Sequence, residues 1–178
     1  NIKRKANKFN EADEKYEKAF KISPDNHILL NAYGQTRGRL GDYETALKLL
    51  YDALKSDIAQ SSRKHEIINR TSIAEALIGW SEFLFRDRNT EAAEKKLFQA
   101  LDECKRILQI GFADPKSHGI LSKTLYKLGK HYNKIGDIKM AKQYFNECLS
   151  IDDNGFKVIR YKMKSAVELA KITFDEGD

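Results

Sequence analysis

The sequence predicts an all-α chain, an α-α superhelix (solenoid) of stacked antiparallel helix pairs, and three observations carry that prediction. Apolar residues recur at intervals of three and four along all 178 residues, the period of helices with one buried face. Only Pro24 and Pro115 interrupt a chain rich in Ala, Leu, Lys and Glu, all of which tolerate helix interiors well. One pattern of side-chain sizes also returns four times, which marks repeating units that bury their faces on their neighbours.

The pattern is small, large, small at offsets of four and then three: Ala12, Tyr16, Ala19; Ala46, Leu50, Ala53; Ala93, Leu97, Ala100; Ala141, Phe145, Cys148. That spacing puts the three side chains on one helix face, where the small residues admit a neighbouring helix and the large one fills the gap. Twelve residues before the last three alanines stand Gly34, Ser81 and Gly129, each preceded by a large side chain (Tyr33, Trp80, Leu128), with Leu30, Leu77 and Leu125 three residues earlier again. Each unit is therefore a pair of helices. The joints fall at Gly41-Asp42 and Gly136-Asp137, glycine for a left-handed closing residue and aspartate to cap the next helix. Arg88 takes the glycine's place in the third unit and Asn7 in the first.

In order, helices are expected near residues 8–22, 26–40, 42–59, 63–86, 90–110, 115–135, 137–150 and 155–176. Pro24-Asp25-Asn26 and Gly111-Phe112-Ala113-Asp114-Pro115 read as loops between units, with Asp114 capping and Pro115 in the first turn of the following helix. The units run approximately 1–25 (partial), 26–60, 61–112, 113–153 and 154–178 (partial), in one array spanning 1–178 with no low-complexity linker. Ala166, Leu169 and Ala170, followed by Gly177-Asp178, repeat the first-helix stripe and its joint, and this last helix is the expected cap. A chain that opens on Asn1 and begins and ends within a unit is expected to be a fragment of a larger protein.

These residues resemble the tetratricopeptide repeat family, above all in Tyr33-Gly34, Gly41-Asp42-Tyr43-Glu44-Thr45-Ala46 and Leu128-Gly129 with Gly136-Asp137. The stripes lie 34, 47 and 48 residues apart instead of a steady 34. The added length, about thirteen residues or three and a half turns, resembles the lengthened units of kinesin light chains and of bacterial signalling ATPases. The resemblance implies that first helices line a concave groove holding a protein or peptide.

Composition bounds the alternatives. No apolar run approaches the roughly 20 residues of a membrane span, and the basic start Asn1 to Ala6 leads into polar sequence unlike a secretory signal. No membrane association is expected. Cys104 and Cys148 lack paired spacing, which points to a reducing, cytoplasmic setting and away from disulfides or a zinc site. The net charge of +6 is spread thinly: Lys+Arg against Asp+Glu is 11 to 9 over residues 1–60, 9 to 8 over 61–112 and 12 to 9 over 113–178. Mixed-sign helix faces account for that better than a phosphate-binding surface, so nucleic acid is the weaker expectation.

No phosphate-cradling glycine loop, metalloprotease helix, nucleophile elbow or Cys-x-x-Cys occurs, and His27, His65, His118 and His131 lie far apart in the chain, near helix starts or on a helix surface. Neither catalytic nor metal-ligating residues are assigned, no cofactor is expected, and the chain is read as a non-enzyme. Cys148 reads as a buried filler and Trp80 as core.

The candidate site is a basic stripe. Lys123, Lys127, Lys130 and Lys134 are spaced four, three and four, and no acidic residue occurs between Pro115 and Gly136. By the resemblance they would face the groove, with Tyr126 and Asn133 beside them, and would take an acidic peptide. Glu75 and Glu82, at equivalent places of the preceding unit, are the candidates for neutralising them. Asn31 and Gln35 occupy corresponding places in the second unit and are expected to hydrogen-bond an extended peptide backbone.

The leading expectation is thus a protein-protein interaction module, a scaffold or adaptor holding a peptide or partner helix. The alternatives are a sensor or regulatory arm of a larger signalling protein such as a multidomain ATPase, and RNA binding, which must weaken as salt rises.

Overall fold

A computed structural model describes residues 2–59, 62–111, 115–153 and 155–176. The described residues form eight helices and no strand: α1 (Ile2–Ile22), α2 (His27–Leu40), α3 (Tyr43–Ala59), α4 (Arg63–Arg86), α5 (Thr90–Gln109), α6 (Pro115–Lys134), α7 (Ile138–Leu149) and α8 (Phe156–Glu176). Asp114 and the Gly177-Asp178 joint lie outside the described residues. The chain divides into two compact units, Asn1–Lys96 and Leu97–Asp178, with the division inside α5.

The three joints within helix pairs share one construction. Gly41, Arg88 and Gly136 take positive φ of 91°, 60° and 83°. The next residue then bonds back to a carbonyl five residues earlier, Asp42 to Arg37, Asn89 to Leu84 and Asp137 to Tyr132, at 3.0 Å each. The same residue opens the following helix, since its side-chain oxygen accepts from the backbone N–H of Thr45, Ala92 or Met140 at 3.2, 3.3 and 3.0 Å. Helix closing and capping are thereby joined in two residues. The expected joint at Asn7 is corrected: α1 runs unbroken from Ile2 through it. Asn costs a helix interior only tenths of a kcal/mol, and no glycine or proline stands nearby to break the turn.

In the first unit α2 packs on α1, α3 and α4, and α3 on α4. Ala46, Leu50 and Ala53 of α3 are wholly buried. A Cβ added to Gly34 would lie 2.7 Å from Leu50 Cγ, so the α2–α3 approach requires glycine. In the second unit α6, α7 and α8 pack pairwise, and Phe145 of α7 lies under Gly129 of α6, where an added Cβ would come within 2.5 Å of its ring. The stripes Ala93, Leu97, Ala100 and Ala141, Phe145, Cys148 are likewise fully buried. Burial pushes the Cys104 thiol up to about 12 and raises that of Cys148 as well, which suits inert fillers.

Two sequence expectations change here. Trp80 is only half-buried: it stacks on Tyr43 with ring centroids 6.2 Å apart, and Lys96 Nζ stands 3.9 Å over it. Ala166 and Ala170 of α8 are exposed rather than inward, because the helix turns Val158, Ser165, Glu168 and Ile172 to its neighbours instead.

Candidate partner-binding surface

Successive first helices meet along two seams, α2 with α4 in the first unit and α6 with α8 in the second. The residues singled out in the sequence fall on both, with different outcomes.

Along α2–α4 the expected backbone-binding amides face inward. Asn31 is buried at 7 % exposure, and its amide nitrogen donates to Asn69 Oδ1 and to Ser72 Oγ, the latter at 3.2 Å. Gln35 Nε2 donates to Asn31 Oδ1 and, at 3.1 Å, to Ser72 Oγ. The expectation that Asn31 and Gln35 would hydrogen-bond a peptide is therefore corrected. Their polar atoms join two helices, as a buried amide must where water is excluded. His27 and His65, far apart in sequence, begin these two helices and bring their rings to 4.9 Å. No group of three metal-ligating side chains occurs among the described residues. His131 is also buried, not superficial.

Along α6–α8 the stripe is a surface feature. Lys130 and Lys134 are exposed, while Lys123, Tyr126, Lys127 and Asn133 are half-buried. A second row, absent from the sequence reading, stands on α8: Lys157, Lys164 and Lys171, seven residues apart and all exposed. Seven residues are close to two helical turns, so the three share a face. Each belongs to the seam by a contact. Lys157 lies against Gly119, where an added Cβ would come within 2.9 Å of the lysine's own. Lys164 Nζ stands 5.5 Å from the rings of both Tyr126 and Tyr161, which are 5.7 Å apart. Lys171 Nζ lies 3.8 Å from Glu168.

That carboxylate supplies negative charge to this seam. Glu168 is buried at 8 % exposure, and Lys130 Nζ approaches it to 3.3 Å. A buried carboxylate needs such partners. Desolvation raises the pKa of the Tyr126 hydroxyl, and Glu168 adds to the effect, so the tyrosine remains a neutral platform and hydrogen-bond donor. The loop before α8 sets the register of the two rows. His118 Nδ1, in the first turns of α6, meets Asp153 Oδ2 at 2.7 Å, and the Gly155 N–H donates to Asp153 Oδ1 at 2.6 Å. Both hold the Asp153 carboxyl below the usual carboxylate range, the backbone N–H most strongly.

An offset of 41 residues connects the rows, Lys116 to Lys157, Lys123 to Lys164 and Lys130 to Lys171. Aligning the last helix on the one two before it exposes the second row in the bare sequence.

The two helix-pair signatures that this geometry supports, at α1 to α3 and at α6 to α7, are also where comparison with known proteins responds. Sequence models described as tetratricopeptide repeat match residues 15–48 and residues 122–154. Both segments are tetratricopeptide repeats. Among solved structures it is similar to that of MamA, at 22 % identity, over 97 % of this chain and 95 % of that one, with a TM-score of 0.46. No curated protein matches it. Tetratricopeptide repeats are in general non-catalytic scaffolds for protein interaction, and no helix among the described residues is long and apolar enough to cross a membrane.

Proposed function

We propose that this tetratricopeptide-repeat chain holds an acidic peptide along the α6–α8 seam. The observation that carries the reading is the pair of lysine rows, Lys123, Lys127, Lys130 and Lys134 on α6 with Lys157, Lys164 and Lys171 on α8, flanking the Tyr126–Tyr161 platform. Lysines are compact point charges on flexible stems, so they suit carboxylates spaced along a chain better than one rigid group. The tyrosines accept an apolar or aromatic side chain between the charges. Glu168 sets the register, because an incoming carboxylate nearest Lys130 and Lys171 meets repulsion from it.

The test is fluorescence anisotropy with a labelled peptide alternating Glu and Leu. Lys127→Glu with Lys164→Glu is expected to weaken binding at least roughly tenfold. Lys48→Glu with Lys55→Glu, exposed on α3, should leave it within about twofold, and added salt should weaken the parent's binding. Equal losses from both pairs, or a single-stranded RNA of the same length that outcompetes the peptide, sinks the reading.

A further inference from the structure

The α2–α4 seam is laddered by residues 38 apart. Asn31 and Asn69 make one rung, bonded through their side chains, and one turn nearer the helix starts the same offset joins His27 to His65. The two ring centroids lie 4.9 Å apart with an interplanar angle of 56°. Both rings are half-buried, so part of each faces solvent. Aromatic pairs also occupy such distances, and the spacing by itself names no ligand. A second observation does: His65 Nδ1 is buried and has no hydrogen-bond partner in the protein. A buried nitrogen of that kind calls for water or an ion.

The ring spacing suits an ion. Imidazole nitrogens bind zinc at about 2.0–2.1 Å, which puts each ring centre about 3.2 Å from a shared ion. Two rings on one ion then stand about 4.5 Å apart at a right angle and about 5.2 Å apart at the tetrahedral angle. The 4.9 Å between His27 and His65 falls inside that interval. The helices that carry the rings are also fixed on both sides of the rung. Asn26 caps α2 by accepting from the Leu29 N–H at 3.1 Å, and Ser62 caps α4 by accepting from the N–H of His65 itself at 3.4 Å. Farther along, Asn31 and Gln35 donate to Ser72 Oγ at 3.2 and 3.1 Å. An ion would therefore not have to order the elements that bind it.

We infer that His27 and His65 form a two-histidine site for a divalent transition-metal ion of the series that imidazole prefers, zinc, copper or nickel, and that the ion staples α2 to α4. His65 coordinates through Nδ1 and His27 through one of its ring nitrogens. Water completes the coordination on the exposed side, since no third His, Cys, Asp or Glu joins the pair among the described residues. Cys104 and Cys148 do not compete, because both are buried and burial holds their thiols protonated. An ion bound at the rung stabilises the folded seam and not the unfolded chain, so cohesion of this unit comes to depend on metal supply. This inference is independent of peptide binding on the lysine rows.

Isothermal titration of zinc ions into the 178-residue chain tests it. The parent is expected to bind one ion per chain, and its thermal unfolding midpoint is expected to rise with ion concentration. His27→Ala and His65→Ala should each weaken binding at least roughly tenfold and abolish that rise, while His118→Ala stays within about twofold of the parent. Magnesium ions, which prefer oxygen ligands, should not displace the zinc. Where an alanine variant loses its helical circular dichroism, His27→Gln or His65→Gln keeps a polar side chain at the rung and takes its place. No saturable binding by the parent overturns the inference, as does binding that the variants retain. A ratio of one ion to two chains also overturns it, because the ion would then join two copies instead of two helices.

Discussion

The α2–α4 seam and the α6–α8 seam each join one first helix to the next, but they are built from opposite chemistry. On α2–α4 the meeting line is closed by neutral side chains, Asn31, Gln35, Asn69 and Ser72, largely shut from water and bonded to one another. On α6–α8 lysines and two tyrosines gather around the buried carboxylate of Glu168. One scaffold position thus serves cohesion in one unit and offers charge in the other. Buried polar groups must find partners within the protein, while exposed ammonium groups on long stems also meet solvent. The two seams should therefore respond in opposite ways to truncation.

The largest stability effect is expected on α2–α4. Asn31→Ala removes the buried amide that bonds Asn69, Ser72 and Gln35 at once, and a loss of about 2 kcal/mol is expected in urea denaturation. Lys134→Ala, exposed on α6, should change stability by less than about 0.5 kcal/mol. A comparable loss at both sites would erase the contrast between cohesive and ligand-facing seams.

Next comes the packing beneath each seam, where the two units should instead behave alike. Gly129→Ala places a Cβ against the fully buried ring of Phe145, and Gly34→Ala places one against Leu50 and 3.0 Å from the Ala46 carbonyl. Alanine is favoured over glycine in a helix by about 1 kcal/mol, but overpacking an unyielding core costs about 1 to 3 kcal/mol. Net destabilisation of both variants is expected in the same denaturation measurement. A stabilised Gly129→Ala variant would show that Phe145 can move aside.

What the sequence discloses of this arrangement follows from which forces are periodic. The helix pairs are legible because Ala46, Leu50 and Ala53 and their counterparts recur at helical offsets, and because Gly41-Asp42 and Gly136-Asp137 announce their turns chemically. The first lysine row is legible for the same reason, four cations on one helix face without an acid among them. The role of Asn31 is not, since an amide on a first helix reads alike whether it faces a groove or a partner amide 38 residues away. Lys157, Lys164 and Lys171 escaped notice because a helix also carrying Glu168, Asp175 and Glu176 looks mixed in charge. Only the offset to α6 separates the row from the rest. Asn7 shows the converse error, a residue that suits a turn but is held in a helix by its neighbours.

A smaller gain is expected at the joint where the repeat departs from glycine. Arg88 holds φ of 60° in a turn otherwise like those at Gly41 and Gly136, and a side chain in that region costs about 1 kcal/mol. Arg88→Gly relieves it while adding freedom to the unfolded chain. A net stabilisation of about 0.5 kcal/mol is expected. No gain, or a loss, would mean that the Arg88 side chain contributes a contact worth the strain.

The smallest effect is expected from pH, at the ionisable tie of the α6–α8 seam. The Gly155 N–H and the His118 ring hold the Asp153 carboxyl below its usual range, so the folded chain binds that proton less readily than the unfolded chain does. The tie's contribution to stability is then fully present above the ordinary aspartate value near pH 4. It is lost as pH falls through the lowered value of the folded state. Asp153→Asn removes this term, so parent and variant should differ most at neutral pH and converge on acidification. The difference is also expected to reach peptide binding, because the tie fixes how the α8 lysines stand against those of α6. If the stabilities of parent and variant instead run parallel down to acid pH, Asp153 does not titrate with folding, and the lysine rows keep their register by helix packing alone.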